Sequence, residues 1–597
     1  MMRQPRFALA ALALLWIVGL YARGYWTPDE PREAALAASL STEAQALPWL
    51  GGQHFAEKPP LSYWLAGASM RLLGASAAAA RMPQLLYALL AFGAMLALLR
   101  TLLRPPAGAA SSEAVLSGAL LFATTFLVYQ VQIWLDTDAL LLAGVAVALA
   151  GMYAALAVSG EDARAGAARW RGYLTMHAGL TLAFFAKNLA AWLVPVLAFL
   201  GFIAWERRWR ELWRVQFWLP SLLPIACIAG WVSAVAAQPD GARSLRILFW
   251  NNLAGRLLPV AADAQYDYSS GHRNSPGRYF LELPLYLAPW TVFAVHALEA
   301  AWRGARVAGP RRAAWRFALC AAIPGLLVLS FAATARGIYA APCMIGFALL
   351  VALAIEGVAA DGATARRLRI GTAVLVLLAA LLVLVASAAL QWTVLRAPWP
   401  LYLASSCTAA LLAAWCASLC LAPRVAAASQ PSLAARVQQF ALGWSLLFSI
   451  GVLCLWSAMN RVQDLRSLAR RVAFDAGADP LLLWSPDETT LAWAQLYLPS
   501  GSWRTLNEAG AAAPAALAQA LQAAPANAVI VSQAPGRWSR QQWLAYLRGE
   551  EALEAAASGG EPNEPLLRAA GYRVRTRVVR PGGRSYDLWR RETGVGP

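Results

Sequence analysis

Charge is scarce in this chain: only 14% of its 597 residues are Asp, Glu, Lys or Arg, against about 25% in an ordinary soluble protein. With 59% of the residues hydrophobic, that scarcity excludes a conventional water-facing globule. Paired cysteine spacing is lacking too. The seven cysteines fall in or beside apolar runs, and residues 460–597 contain none. Neither a disulfide framework nor a zinc or redox motif is therefore expected. No convincing internal repeat is visible, which counts against the duplicated halves common in transporters. A small-residue cleavage site is missing behind the first apolar run, which follows Arg3 and Arg6. That run reads as a retained signal anchor.

What the chain does have is length in its apolar runs. They recur at 7–23, 83–103, 114–133, 139–158, 173–186, 188–205, 216–236, 280–299, 317–333, 338–357, 370–388, 400–421 and 439–458. Each is close to the ~20 residues that carry a helix across a hydrocarbon layer of about 30 Å. About thirteen membrane helices are expected, with a shorter interfacial helix at 61–73. The formal charge of +18 does not indicate nucleic acid, because the basic residues sit in short clusters between apolar runs. Clusters such as Arg100 with Arg104, Arg207 with Arg208, and Arg366 with Arg367 occupy alternate loops. The positive-inside rule puts those loops and the amino terminus in the cytoplasm. Two long loops, 22–82 and 238–279, and the tail from 460 then face outward. The expected organisation is a membrane domain over 1–459 and an outer α/β domain over 460–597. In the latter, strands are expected at 481–484, 528–532, 572–579 and 585–589, and helices at 511–524 and 539–555.

Most of the unusual polar residues fall on the outward side. Asp29 and Glu30 follow the first run, within Tyr25-Trp26-Thr27-Pro28-Asp29-Glu30-Pro31-Arg32-Glu33. They are candidate catalytic carboxylates, since charge at a membrane surface is costly unless used. The alternative for Asp29 is a helix cap. Glu57 and Lys58 precede two prolines that hold the backbone extended, with Tyr63 just beyond; an ordinary surface loop with a neutralised pair is the competing reading. Asp136 and Asp138 sit in a tight outer turn, suited to a cation or a sugar hydroxyl, or forming only a polar turn. Lys187 and Arg336 occupy further outer turns, Tyr339 follows, and the second long loop adds Arg256 and His272. A single such cation is usually a snorkelling anchor. Several on one face could grip a phosphate leaving group.

At these residues the chain resembles a known family. The order Pro28-Asp29-Glu30-x-Arg32, then Glu57-Lys58-Pro59-Pro60-Leu61-x-Tyr63-Trp64, then an acidic outer turn and Ala186-Lys187-Asn188 is similar to the bacterial relatives of protein O-mannosyltransferases. The likeness is strongest to the aminoarabinose transferases that modify lipid A. It implies a GT-C fold with an outward cavity and interfacial helices in the first loop, in a multi-pass protein of the bacterial inner membrane. It also implies inverting transfer from undecaprenyl phosphate, with a divalent ion left open. Asp29 would be the catalytic carboxylate, assisted by Glu30 and Glu57. Lys58, Lys187, Arg336, Arg256 and His272 would hold the donor phosphate, and Tyr63, Asp136, Asp138 and Tyr339 the substrate. Where the family has a Lys-Gly turn, this chain has Lys187-Asn188. The implied partners are a polyprenyl-phosphate sugar donor, a lipid or glycan acceptor and membrane lipids, with no nucleic acid. Protein hydroxyls or a surface polysaccharide are alternative acceptors, and a lipid or solute transporter is the competing class.

Overall fold

The computed structural model describes residues 4–41, 45–105, 110–253, 275–332, 336–358, 362–390, 399–421, 432–506, 514–534, 564–578 and 585–592. The chain opens with α1 (Gln4–Tyr21), followed by a first loop holding α2 (Asp29–Ser39), the strands β1 (Trp49–Leu50) and β2 (Gln53–His54), and α3 (Leu61–Leu73). A helical bundle follows: α4 (Ala77–Leu102), α5 (Ser112–Thr124), α6 (Phe126–Ile133), α7 (Asp138–Leu156), α8 (Ala163–Lys187), α9 (Leu193–Trp205), α10 (Val215–Trp218) and α11 (Leu222–Ala236). After α12 (Gly241–Arg246) it resumes with α13 (Arg278–Tyr286), α14 (Thr291–Gly304), α15 (Arg312–Ser330), α16 (Cys343–Val358), α17 (Gly362–Leu390), α18 (Trp399–Leu421) and α19 (Leu433–Gln463). A helix or bent pair of helices lies over each expected apolar run. By length and composition, five helices among the described residues could cross a membrane, or up to seven if each bent pair is one span.

Two runs expected to be single helices are broken. α5 meets α6 at 65°, and α13 meets α14 at 117°. The two breaks stabilise each other. Thr125 leaves helical geometry, so the Phe126 amide, freed from the ladder, donates to the Ala288 carbonyl at 2.8 Å. Trp290 Nε1 donates to Thr124 Oγ1 at 3.1 Å, and Pro289, which cannot donate, sits in the second break. At the centre, α7 lies against α8 through small residues. A Cβ on Gly179 would come within 2.3 Å of the Ala148 amide nitrogen, and one on Gly151 within 2.4 Å of that of Met176. Such close backbone approach is how membrane helices associate without a hydrophobic driving force.

The last part of the chain is a three-layer α/β unit. It contains α20 (Arg466–Ala476), β3 (Leu481–Trp484), α21 (Glu488–Tyr497), β4 (Trp503–Thr505), α22 (Pro514–Gln522), β5 (Val529–Ala534), a short helix Glu564–Ala569, β6 (Tyr572–Val578) and β7 (Ser585–Arg591). The strand order is β4-β3-β5-β7-β6. β3 pairs parallel with β4 and β5, whereas β7 is antiparallel to β5 and β6. Alternation along β3 builds both cores: Leu481 and Leu483 pack with α20 and α21, while Leu482 and Trp484 pack with Leu521 and Leu567. α19 runs on to Gln463, beyond the expected boundary at 459. β4, α20 and α21 had not been anticipated, and the expected helix at 539–555 lies outside the described residues.

Candidate active site

The first loop is built around a buried charge cluster. Glu30 is fully enclosed. Its carboxylate accepts from Arg23 Nη2 at 2.8 Å, from Arg81 Nη2 at 2.7 Å, and from the Trp26 and Leu135 amides at 2.9 and 2.8 Å. Burial alone would raise its pKa, yet Arg81 and Arg23 hold it below the usual carboxylate value. Arg81 also caps the end of α1 by donating to the Leu20, Arg23 and Gly24 carbonyls. The free backbone groups that follow a membrane helix are thus satisfied inside the protein.

Asp29 is the next residue along, yet it faces elsewhere. The cap alternative fails locally: α2 begins at Asp29 itself, and the capping position is Pro28, with no side-chain bond. The carboxylate instead accepts from Arg336 Nη1 at 2.8 Å and from Arg32 Nη2 at 3.3 Å. Arg32 also donates to Glu33 at 3.0 Å. Glu33 in turn accepts from Lys58 Nζ at 3.0 Å, and Lys58 reaches Asp136 Oδ1 at 2.8 Å. Lys187 Nζ donates to Asp138 Oδ1 at 2.6 Å and lies 4.2 Å from the Tyr339 ring centroid. Asp136 and Asp138 thus divide the two lysines between them. Asn188 makes the turn at the end of α8 with φ 59° and ψ −161°, a backbone region that is nearly glycine's alone. The position therefore keeps the geometry of the glycine that the resemblance led us to expect, and the asparagine there carries about 1–3 kcal/mol of backbone strain.

Glu57, Lys58, Lys187, Asn188, Asn252 and Tyr339 supply the polar lining of a cavity of about 460 Å³. Its other walls are apolar and include Leu141, Leu189, Leu193, Val194, Val328 and Leu329. Asp29 and Arg336 are outside that lining and join it through the Arg32–Glu33–Lys58 chain of contacts. Tyr63 is buried beside the chain. Its hydroxyl, Glu33 Oε2 and Asp138 Oδ2 are buried atoms without a hydrogen-bond partner among the described residues. Arg256 and His272 lie outside the described residues. Among the described residues, no group of three or more His, Cys, Asp or Glu is placed to hold a metal ion.

Burial disfavours the Lys58 ammonium, but Asp136 and Glu33 outweigh it and hold its pKa well above the ordinary lysine value. Burial likewise opposes the Asp136 carboxylate, and Lys58 with Lys187 pulls it well below the carboxylate range. The depressed Asp136 pKa contributes stability above about pH 4, the unfolded value, and that stability is lost as pH falls toward the folded value. The raised Lys58 pKa contributes below about pH 10.4 and is lost only as pH rises through its folded value. Asp136→Asn is accordingly expected to cost about 1–3 kcal/mol, by an amount constant from about pH 7 to 9, above the range in which Asp138, pushed up to about 6 by burial, itself titrates. Thermal unfolding of wild type and variant across that range measures it; a gap that varied strongly near pH 8 would contradict the assignment.

The motif order pointed to Asp29, Glu57, Lys58, Lys187 and Arg336, and the fold links them. Arg81 and Glu33 were not anticipated as partners, although Glu33, one helical turn beyond Asp29, could have been found from spacing. Glu488 donates no motif, yet it accepts from Arg32 Nη1 at 2.5 Å.

These features define a membrane-embedded protein of GT-C fold with an acid and cation cluster at one end of the bundle. Residues 57–233 match the family model described as dolichyl-phosphate-mannose-protein mannosyltransferase. The undecaprenyl phosphate-alpha-4-amino-4-deoxy-L-arabinose arabinosyl transferase of Pseudomonas aeruginosa (strain LESB58) is 29% identical over 399 residues, 65% of each chain. The protein of that name from Erwinia tasmaniensis is 27% identical over 431 residues, 69% of this chain and 70% of its own. The match thus spans just under two thirds of the Pseudomonas relative. The crystal structure of ArnT from Cupriavidus metallidurans bound to undecaprenyl phosphate superposes with a TM-score of 0.70 at 18% identity, over 99% of this chain and 98% of that one. Its apo state gives 0.66 at 17% identity, over 97% of each. The chain is thus similar to the protein O-mannosyltransferases and the lipid A aminoarabinose transferases, and it shares the fold of the solved ArnT structures.

Proposed function

We propose that this protein is an inverting glycosyltransferase that takes a sugar from a polyprenyl-phosphate carrier and passes it to lipid A or another glycolipid. The observation that carries this reading is the cavity, whose mostly apolar walls also include Lys58 and Lys187. Such a cavity suits a molecule with an anionic head and a hydrocarbon tail. The donor phosphate would lie against Lys58, Lys187 and Arg336, where its ester oxygen gains charge as the sugar departs. Asp29 takes the proton of an acceptor hydroxyl, or orients the acceptor where it is already an anion. The acceptor oxygen forms a bond to the anomeric carbon while the bond from that carbon to the phosphate oxygen breaks. The electron pair leaves with the phosphate. Holding both partners at one mouth supplies much of the rate. Glu57, which lines the cavity, would contact the sugar, with Tyr63, Asp136, Asp138 and Tyr339 around it. Glu30, enclosed by two arginines, would hold the loop and touch nothing that reacts.

The relatives' names indicate an amino-deoxy-arabinose donor. In the topology that goes with this reading, about thirteen helices cross the inner membrane, the amino terminus is cytoplasmic, and the cavity and the α/β domain face the periplasm. Transfer to a protein hydroxyl is the second reading, favoured by the description of the family model. Mass spectrometry of glycolipids and glycoproteins from cells with and without the gene separates the two. A glycolipid losing one sugar supports the first, and an unchanged glycolipid pool beside a missing glycoprotein supports the second. If neither pool changed, the transferase reading would fall.

Arg336 is half exposed, so it is the least enclosed of the cations. Arg336→Ala is expected to raise the donor KM about tenfold, the loss of one charge-assisted contact, with a smaller effect on kcat. Steady-state kinetics in proteoliposomes would show it.

A further inference from the structure

One charged contact crosses between the two parts of the chain at the site itself. On α2, Asp29, Arg32, Glu33 and Leu36 share a face, spaced i, i+3, i+4 and i+7. On α21, Glu488, Leu491, Ala492 and Gln495 share a face with the same spacing. The two faces meet. Leu36 and Ala492 are fully buried in a common cluster that Leu491 joins. Gln495 donates to the Ala35 carbonyl at 2.9 Å and accepts from the Gly51 amide at 3.1 Å. This seating fixes where the first turn of α21 lies. Glu488 therefore reaches Arg32, whose side chain is about one tenth exposed, and binds Nη1 at 2.5 Å. The other amino group, Nη2, serves Glu33 at 3.0 Å and Asp29 at 3.3 Å.

We propose that Glu488 is a positioning residue for the transfer reaction, contributed by the carboxy-terminal domain to the acids and cations of the membrane domain. By occupying Nη1, Glu488 leaves Asp29 and Glu33 sharing Nη2. Asp29 then keeps its shorter contact with Arg336, at 2.8 Å, and Glu33 stays on Lys58. Without Glu488, both amino groups of Arg32 would be available to the carboxylates of α2. A planar guanidinium binds a carboxylate best through two parallel bonds. Asp29 would be drawn toward Arg32, out of the position from which it meets the acceptor. On this view the α/β domain does more than decorate the outer face, because its seating sets the posture of the reacting carboxylate.

The catalytic part of this inference rests on the proposed transferase activity, so the test has two readouts. The full chain is reconstituted in nanodiscs with an undecaprenyl-phosphate-linked amino sugar as donor and lipid A as acceptor. Glu488→Gln, which keeps the shape and removes the charge, is expected to lower kcat about 10- to 100-fold, the usual result of displacing a reacting group by about an ångström. The donor KM should stay within about threefold, and Glu488→Asp should recover most of the rate. Hydrogen exchange gives the second readout: amides of residues 33–37 should exchange several-fold faster in Glu488→Gln, while those of α21 should not change. An unchanged kcat would overturn the proposal, as would unchanged exchange over 33–37. Faster exchange over α21 would also overturn it, by making the contact a domain clasp only. If the wild type transferred no sugar, the transferase reading would fall, and the exchange pattern would still decide whether Glu488 positions α2.

Discussion

Asp29→Asn is expected to lower sugar transfer by about 10²- to 10⁴-fold, the range associated with losing a general base, in a protein that folds normally. The substitution keeps a side chain of the same shape between Arg32 and Arg336, and Asp29 lies at the start of α2, where no other part of the fold depends on its charge as a cap. The lost rate should therefore appear in kcat. The assay is transfer in membranes, with expression level and unfolding temperature as controls. A well-folded Asp29→Asn protein with full activity would remove the central assignment. If the acceptor is itself an anionic phosphate, the loss should sit at the lower end of that range, because little deprotonation is then needed and orientation is what disappears.

One residue further on, the expected outcome is different in kind. Glu30→Gln should destabilise the protein by about 3–5 kcal/mol, the usual consequence of removing one partner from a buried ion pair. Arg23 and Arg81 would be left enclosed with no counter-charge, at the point where α1, the start of α4 and the turn before α7 meet. The expected signature is a large fall in unfolding temperature or in the yield of monodisperse protein in detergent. Any loss of transfer should track the loss of folded protein. A stable Glu30→Gln protein with a selective defect in kcat would instead move Glu30 into the reacting set and contradict its role as an anchor. Neighbouring acids thus separate by burial: one is enclosed by two arginines, and the other lies outside the cavity lining between Arg32 and the half-exposed Arg336.

Much of the fold was legible because hydrophobic length and charge placement act locally. The apolar runs and the paired carboxylates are properties of consecutive residues, so the helices and the motifs could be located without coordinates. The broken spans were not legible. Thr124, Phe126, Ala288 and Trp290 satisfy one another across more than 160 positions, and neither break is energetically reasonable without the other. Within the site, the sequence offered Asp136 and Asp138 as interchangeable. Geometry distinguished them by giving Lys58 to the first and Lys187 to the second.

The sequence by itself determined that the chain lives in a bilayer and that an α/β unit follows the last apolar run, and it pointed to an outward-facing set of uncommon acids and cations. Composition and spacing carry those facts, because transfer from water to hydrocarbon depends on what a segment contains. Only the tertiary structure decided which acid meets which cation. The link from Glu488 to Arg32 spans 456 positions and leaves no trace in either motif. A charge pair is fixed by where two surfaces come to rest, and that is settled by the packing of α21 on α2.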